Sequence, residues 1–181
     1  MKKKIHMNSA LTLLLSLVFL CQNANAQSRE VSFNDTWGKQ GINLSSQTTQ
    51  QVRLNVSLEN YFLEEVMVEN EKMDAVILPG VFLPGQEGAP DLPVYSRYIA
   101  VPQGATLSLS IDRKRTETNQ NVLIAPSPII PKDDVPGPLV RKKDASIYGN
   151  NTFYPENIIQ VSERIKIRGI DMFIVSVSPF Q

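Results

Sequence analysis

Alternation of apolar and polar residues begins at Val52 and recurs in short runs to the end of the chain. In residues 52–58 every second side chain is apolar, which is typical of a strand with one buried face. The other runs predicted as strands are residues 61–68, 73–78, 92–101, 106–112, 122–125, 164–167 and 172–177. Because proline and glycine turns separate the runs and no segment has a sustained helical stripe, we predict an all-β domain. Its expected architecture is a β-sandwich or jelly-roll-like fold of about eight strands.

Residues 27–50 differ in composition from this predicted β-domain, which spans residues 51–181. They are rich in glutamine, serine, threonine and asparagine and poor in apolar side chains. We therefore expect a polar, loosely held N-terminal arm. Phe33 and Trp37 are candidates for docking the arm onto the body. A single tryptophan favours a packing role for Trp37, with a ligand platform as the alternative.

Residues 1–26 contain the three parts of a removable signal peptide. Lysines at positions 2–4 form the positive region, residues 11–20 form the apolar run, and Ala26 precedes the expected mature N-terminus, Gln27. The apolar run is about half as long as a membrane-spanning helix requires, and no later segment is longer. We expect an exported chain without a membrane span. The predicted location is the periplasm and then the surface or exterior of a Gram-negative bacterium.

The only cysteine, Cys21, and the only histidine, His6, both lie in this leader. Leu20, directly before Cys21, disfavours lipid attachment at that cysteine. Cleavage after Ala26 leaves a chain with no Cys–His dyad, no Ser–His–Asp triad and no thiolate or imidazole metal site. We therefore predict no catalytic residue, no metal ligand and no cofactor.

The net charge argues against polyanionic partners. The chain has 18 basic and 18 acidic residues, so removal of three leader lysines leaves 15 against 18, a net charge of −3. A mildly acidic domain lacks the attraction that nucleic acids and anionic membranes require, and we expect neither as a partner. The remaining 155 residues are enough to form one core without disulfides.

A long proline-rich loop is predicted between residues 126 and 145. Prolines disfavour both helix and ladder hydrogen bonds, and those in the loop are Pro126, Pro128, Pro131, Pro136 and Pro138. Loops of this length in compact domains are usually functional or disordered. The loop carries Lys132, then Asp133 and Asp134, and later the basic run of Arg141, Lys142 and Lys143. Composition alone allows two interpretations: a solvated loop, or a stiff extended peptide that a protease groove accepts.

Three stretches resemble the propeptide of the gingipain-type (C25) cysteine peptidases. The first is G-A-P-D-L-P at residues 88–93, followed by a strand that ends in Ala100 and Val101. The second is V-L-I-A-P-S at residues 122–127, followed after a variable loop by Y-G at 148–149 and F-Y-P at 153–155. The third is the closing strand at residues 173–181. The resemblance extends from about residue 50 to the last residue, and the order and spacing of the stretches make it specific.

The resemblance implies a β-sandwich prodomain that precedes a caspase-like cysteine peptidase domain. Such prodomains assist folding and inhibit their own zymogen, so the implied partner is a C25-like catalytic domain, in cis or in trans. The implied inhibitory element is the loop, which places a basic side chain in the specificity pocket of the enzyme. Lys132 is the nearest counterpart of that side chain, and Arg141 is the second candidate. The run from Arg141 through Lys142 to Lys143 is also a candidate processing site.

The C-terminal end of the chain follows closely on a predicted strand. The chain stops soon after the apolar strand at residues 172–177, so we expect the domain to be truncated at its C-terminal end.

An exported β-sandwich module that binds glycans or a surface protein is the alternative function, with Trp37 and Tyr148 as candidate platforms. Only 7% of the residues are aromatic, which disfavours that alternative.

Overall fold

In a computed structural model of the chain, residues 28–81, 85–130 and 139–181 are described. Their regular structure is eleven strands and one helix of a single turn, α1 (Ala145–Tyr148). The strands are β1 (Ser28–Ser32), β2 (Gly41–Gln47), β3 (Val52–Ser57), β4 (Asn60–Val68), β5 (Glu71–Ile77), β6 (Tyr95–Val101), β7 (Pro128–Ile129), β8 (Val140–Arg141), β9 (Ile159–Val161), β10 (Ile165–Ile167) and β11 (Ile170–Val177). The all-β prediction is confirmed.

The strands form two antiparallel sheets and two smaller ribbons. One sheet has the order β1-β4-β5, and the other has the order β10-β11-β6, with β9 also pairing with β11. The ribbons are β2-β3 and β7-β8. The predicted strands at residues 52–58, 61–68, 73–78 and 172–177 are all present, with bounds shifted by at most two residues.

Two-residue turns close two of the hairpins. Glu69 and Asn70 join β4 to β5 with φ values of 48° and 69°. Arg168 and Gly169 join β10 to β11 with φ values of 51° and 84°. Two successive positive φ values suit a type I′ turn, whose twist matches that of the flanking strands.

The main core lies where the β1-β4-β5 sheet meets β6 and the β2-β3 ribbon. Its buried members are Tyr61, Leu63, Val76, Leu78, Leu92 and Tyr95. A second cluster contains Val68, Met73, Ala75 and Ala125. Phe180 near the C-terminus packs edge-on against Tyr61, with ring centroids 5.0 Å apart. These clusters bring the turn at residues 88–93 and the start of the proline-rich loop against the body.

The structure corrects the expectation of a loosely held arm at residues 27–50. β1 pairs with β4 over five residues, and β2 pairs with β3. Trp37 is 36% exposed and lies under the guanidinium groups of Arg113 and Arg115. Polar composition did not prevent strand formation, because an edge strand needs backbone partners more than it needs buried side chains.

Two predicted strands are absent from the described residues. Residues 106–112 alternate in sequence, yet Leu109 and Ile111 are 51% and 53% exposed, and no strand forms there. Residues 122–125 contribute only an isolated parallel bridge between Asp74 and Ile124. Alternation indicates which side chains could share a face, but a strand also requires a neighbouring backbone.

Candidate functional site

The proline-rich loop is framed by the β7-β8 ribbon. Pro128 is paired with Arg141, and Ile129 is paired with Val140. Ile130 and Leu139 follow and precede these pairs, and they are the described residues on either side of the centre of the loop. Lys132, Asp133 and Asp134 lie outside the described residues, as do the predicted cleavage-site residues Ala26 and Gln27.

Arg141 does not project from the ribbon into solvent. Its Nη1 lies 2.8 Å from Oδ2 of Asp91, and the two side chains are only 19% and 18% exposed. The same nitrogen donates to the carbonyl oxygen of Pro126. Asp91 also accepts a hydrogen bond of 3.0 Å from the Ser127 hydroxyl. The ion pair and the two accompanying hydrogen bonds thus connect three segments of the chain, which contain Asp91, Pro126 with Ser127, and Arg141.

Backbone hydrogen bonds join the same three segments. The amide of Ser127 donates to Ala89 at 2.7 Å, and the amide of Gly88 donates to Ser127 at 3.2 Å. On the other side of the loop, the amide of Asp144 donates to the carbonyl of Gly88 at 2.9 Å. We use the term loop base for residues 85–93, 125–128 and 139–144. Both ends of the loop are bonded to the turn that contains Gly88.

Gly88 permits this close approach. Its φ is +78°, and a Cβ at this position would lie 3.2 Å from both the Asp144 amide nitrogen and the Lys142 carbonyl oxygen. A side chain would therefore meet both conformational strain and backbone atoms. The glycine of the G-x-P-x-L-P motif has a defined geometric role here.

The one-turn helix α1 follows the loop base. Asp144 caps it by accepting a 2.8 Å hydrogen bond from the Ser146 amide. Hydrogen bonds from the Ser146 side chain and then from its backbone hold the pKa of Asp144 below its usual range. Tyr148, at the other end of α1, donates to the Ile124 carbonyl at 2.8 Å. Burial raises the pKa of the Tyr148 phenol, and its hydroxyl is engaged with the body.

The three residues of the basic run have different environments. Lys142 is exposed, and Lys143 forms an ion pair with Glu71. Arg141 is held in the loop base. Apolar side chains beside the loop ends are exposed: Ile130 by 74%, Leu139 by 57% and Val140 by 60%. A set of exposed apolar side chains around a loop is typical of a surface that a partner covers.

Sequence reasoning named Asp91 only as part of the G-x-P-x-L-P motif. Its partner Arg141 is 50 residues away, so no local pattern indicated the pair. The available signal was an acidic residue in a motif otherwise made of glycine, proline and apolar residues. Within the described residues, no cluster of three or more acidic side chains that could bind a metal is present.

A family model for the C25 propeptide (Propeptide_C25) matches residues 35–181. The chain therefore belongs to the propeptide family of C25 cysteine peptidases, and it is a propeptide domain rather than the catalytic domain of such a precursor. The resemblance stated from the sequence motifs is confirmed. The matched region also includes most of the segment that we expected to be an arm.

Curated relatives agree with this assignment. Lys-gingipain of Porphyromonas gingivalis strain ATCC 33277 is 24% identical over 180 residues, which cover 94% of this chain and 10% of that protein. Lys-gingipain HG66 of Porphyromonas gingivalis is 26% identical over 141 residues, covering 73% of this chain and 8% of that protein. The chain spans a tenth or less of the length of these relatives.

Two solved structures share the fold. A complex of the pro- and mature domains of Porphyromonas gingivalis RgpB superimposes with a TM-score of 0.69 at 21% identity, covering 76% of this chain and 73% of that one. A structure on the zymogenic latency of gingipain K superimposes with a TM-score of 0.66 at 23% identity, covering 84% and 86%. No helix within the described residues is long and apolar enough to span a bilayer.

Proposed function

We propose that this chain keeps a gingipain-type cysteine peptidase latent, with its proline-rich loop occupying the substrate groove. The observation that carries the proposal is the loop base, which bonds both ends of the loop to one turn of the body. A peptide with fixed ends binds a groove at a lower entropic cost than a free peptide. The similarity to a pro- and mature-domain complex and to a zymogenic gingipain K supports this function.

Lys132 is our proposed anchor in the specificity pocket. It is the only basic residue between Ile130 and Leu139, whereas the alternative, Arg141, is paired with Asp91 at 2.8 Å. An ammonium group that reaches an acidic pocket forms a charge-assisted, desolvated contact. The relatives named Lys-gingipain favour a lysine-selective target, although they are matched over only a tenth of their length.

Inhibition of purified catalytic domains tests this assignment. We expect Lys132→Ala to raise the inhibition constant against a lysine-selective gingipain-type peptidase by about 30-fold or more, as for a hot-spot residue. Lys142→Ala, which changes an exposed lysine of the loop base, should leave the inhibition constant within about twofold of the parent value. Equal inhibition by Lys132→Ala and the parent chain would exclude Lys132 as the anchor. Absence of inhibition by the parent chain would exclude the inhibitory function.

A second proposed role is that of a folding assistant for the catalytic domain. We propose that the chain is the N-terminal part of a C25 endopeptidase precursor, and that its partner is the catalytic domain, in cis or in trans. Exposed Ile130, Leu139 and Val140 support a docking surface around the loop. Refolding a catalytic domain with and without this chain measures the role, and an unchanged yield of active enzyme would contradict it.

Export and processing remain proposals that mass spectrometry can test. We propose cleavage of the leader between Ala26 and Gln27, followed by a periplasmic and then a surface or extracellular location. The candidate processing run begins at Arg141, whose side chain is held by Asp91 and Pro126. Cleavage there would require the loop base to open, because proteases act on extended, accessible segments. An intact N-terminus beginning at Met1 in secreted material would contradict leader removal.

The alternative, glycan binding, would use Tyr148 as an aromatic platform. The hydroxyl group of Tyr148 donates to the carbonyl oxygen of Ile124 and is turned to the body, which favours the inhibitory role over this alternative.

A further inference from the structure

Among the described residues, the ion pair of Arg141 and Asp91 is the most buried charge pair at the ends of the proline-rich loop. Both side chains are less than one-fifth exposed, whereas Lys143 and Glu71 on the same side of the loop are 29% and 47% exposed. Buried pairs are sensitive to the loss of either partner because the remaining charge is left unpaired. An arginine at this position is therefore expected to have a specific task.

The β7-β8 ribbon needs support from outside. It consists of two residue pairs only, and a two-stranded ribbon is marginal by itself in water. Pro128, one of its four residues, has no N–H to donate to the ladder. The separation and direction of the loop ends therefore depend on contacts beyond the ribbon.

Arg141 supplies those contacts on both sides. From β8 it reaches the carbonyl of Pro126 on the preceding side of the loop and the carboxylate of Asp91 in the turn of the body. The guanidinium group has several donors in one rigid plane, so it can hold two acceptors at once where a lysine ammonium is less directional. Ser127 completes the arrangement by donating to the second carboxylate oxygen.

We propose that Arg141 and Asp91 form a clamp that holds the two ends of the proline-rich loop in the geometry required for inhibition. The inference rests on the proposed inhibitory function, and it names the contacts that this function requires at the ends of the loop. Arg141 is a positioning residue that does not enter the enzyme, and the clamp acts by fixing the two described ends of the loop. Loss of the clamp should weaken inhibition although Lys132 is still present in the chain.

Removal of either partner tests the clamp. We expect Arg141→Met and the shape-conserving Asp91→Asn each to raise the inhibition constant against a lysine-selective gingipain-type peptidase about tenfold or more. Glu71→Gln is the matched control, because it removes the more exposed ion pair on the same side of the loop. The inhibition constant of this variant should stay within about twofold of the parent value. Unchanged inhibition by both Arg141→Met and Asp91→Asn would overturn the clamp.

A disulfide across the ribbon separates positioning from direct contact. Ile129 and Val140 are antiparallel partners, and the Cα separation of such pairs is within the range that a disulfide can bridge. The only natural cysteine, Cys21, lies in the leader. In the Arg141→Met chain, we expect Ile129→Cys with Val140→Cys to inhibit about tenfold or more strongly when oxidised than when reduced, since both forms lack the Val140 side chain equally. Equal inhibition by the oxidised and reduced forms would show that Arg141 acts otherwise than by holding the loop ends, which overturns the proposal.

Amide hydrogen exchange tests the clamp without any enzyme. The amides of Ser127 and Asp144 are bonded across the loop base, so their exchange should be accelerated about tenfold or more by Arg141→Met and Asp91→Asn. Exchange at the rate of the parent chain would overturn the clamp. If the parent chain does not inhibit the enzyme, the proposed function fails, while these exchange rates still decide whether the clamp exists.

Discussion

The loop base and residues 105–119, which we call the exposed segment, are both irregular, charged and without long strands. They differ in what surrounds their charges. In the loop base the Arg141–Asp91 pair is less than one-fifth exposed and is accompanied by backbone hydrogen bonds on both sides of the loop. In the exposed segment, Asp112 pairs with Arg53 at 3.2 Å, but the two side chains are 61% and 53% exposed.

From this comparison we expect burial of the ion pair, more than the number of charges, to determine how firmly each segment is held. An exposed ion pair is weakened by water and screened by dissolved salt, so it contributes at most about 1 kcal/mol to the free energy of unfolding. A pair shielded from water is strongly destabilised by the loss of one partner, because the other charge is then left buried and unpaired.

Leucine truncation should distinguish the two regions most strongly. Leu92, in the loop base, is 9% exposed and belongs to the main core, whereas Leu109 in the exposed segment is 51% exposed. We expect Leu92→Ala to lower the free energy of unfolding by about 2–4 kcal/mol, because it creates a cavity. Leu109→Ala should lower it by less than about 0.5 kcal/mol. Urea unfolding measures both, and equal losses would remove the distinction between the regions.

The two ion pairs give the second comparison. Arg141→Met should lower the free energy of unfolding by about 2–3 kcal/mol, since it leaves the Asp91 carboxylate without its main partner. Arg53→Met removes the partner of Asp112 at an exposed site and should cost less than about 1 kcal/mol. Chemical unfolding of the two variants under one buffer condition tests this, and a larger loss for Arg53→Met would contradict it.

Two glycines with the same backbone angle give the third comparison. Gly88 and Gly80 both have φ of +78°, but a Cβ at Gly80 has no atom of the described residues within 4 Å, whereas a Cβ at Gly88 meets backbone atoms at 3.2 Å. We expect Gly80→Ala to cost about 1 kcal/mol through strain alone. Gly88→Ala should cost about 1 kcal/mol more, because the loop base must also shift. Thermal unfolding of the matched pair gives the difference, and equal melting temperatures would show that the loop base yields freely.

The smallest expected effect is an acid sensitivity at the edge of the loop base. Because hydrogen bonds from Ser146 lower the pKa of Asp144 in the folded chain, folding favours the carboxylate. This stabilisation is fully present above the ordinary value of 3.8 and is lost as the pH falls through the lowered pKa. Asp144→Asn, which can still cap α1, should show a flatter decline of stability below about pH 4. Ser146→Ala should make the decline flatter in part, because it removes one of the hydrogen bonds to Asp144. Urea unfolding at a series of pH values measures the decline, and a decline below about pH 4 identical to that of the parent would contradict this role of Asp144.

Local pattern was sufficient for the strands that have both a clear alternation and a paired neighbour. β3, β4, β5 and β11 were predicted because their apolar side chains recur at every second position and tight turns delimit them. The prediction failed at residues 106–112, which have the same alternation but form no strand pairing, and at β1 and β2, which are paired but have little apolar content. Pairing is a property of the fold, so alternation alone could not separate these cases.

The candidate site divides in the same way. The proline-rich loop and the G-x-P-x-L-P turn were recognised in sequence, and the family match confirms the domain to which they belong. Lys132 as the anchor is still a prediction. Asp91 was missed because its importance depends on Arg141, 50 residues further along the chain.

By itself, the sequence determined the all-β class and the propeptide family, and it predicted a long proline-rich loop over residues 126–145. These follow from short-range chemistry: side-chain alternation, the fixed φ of proline and motifs within a few residues. Only the tertiary structure decided that Arg141 faces inward, that Gly88 bonds to both sides of the loop, and that the N-terminal segment joins the sheets. Those outcomes depend on which distant backbone and side-chain groups meet, and burial then sets how strongly charged groups act on one another.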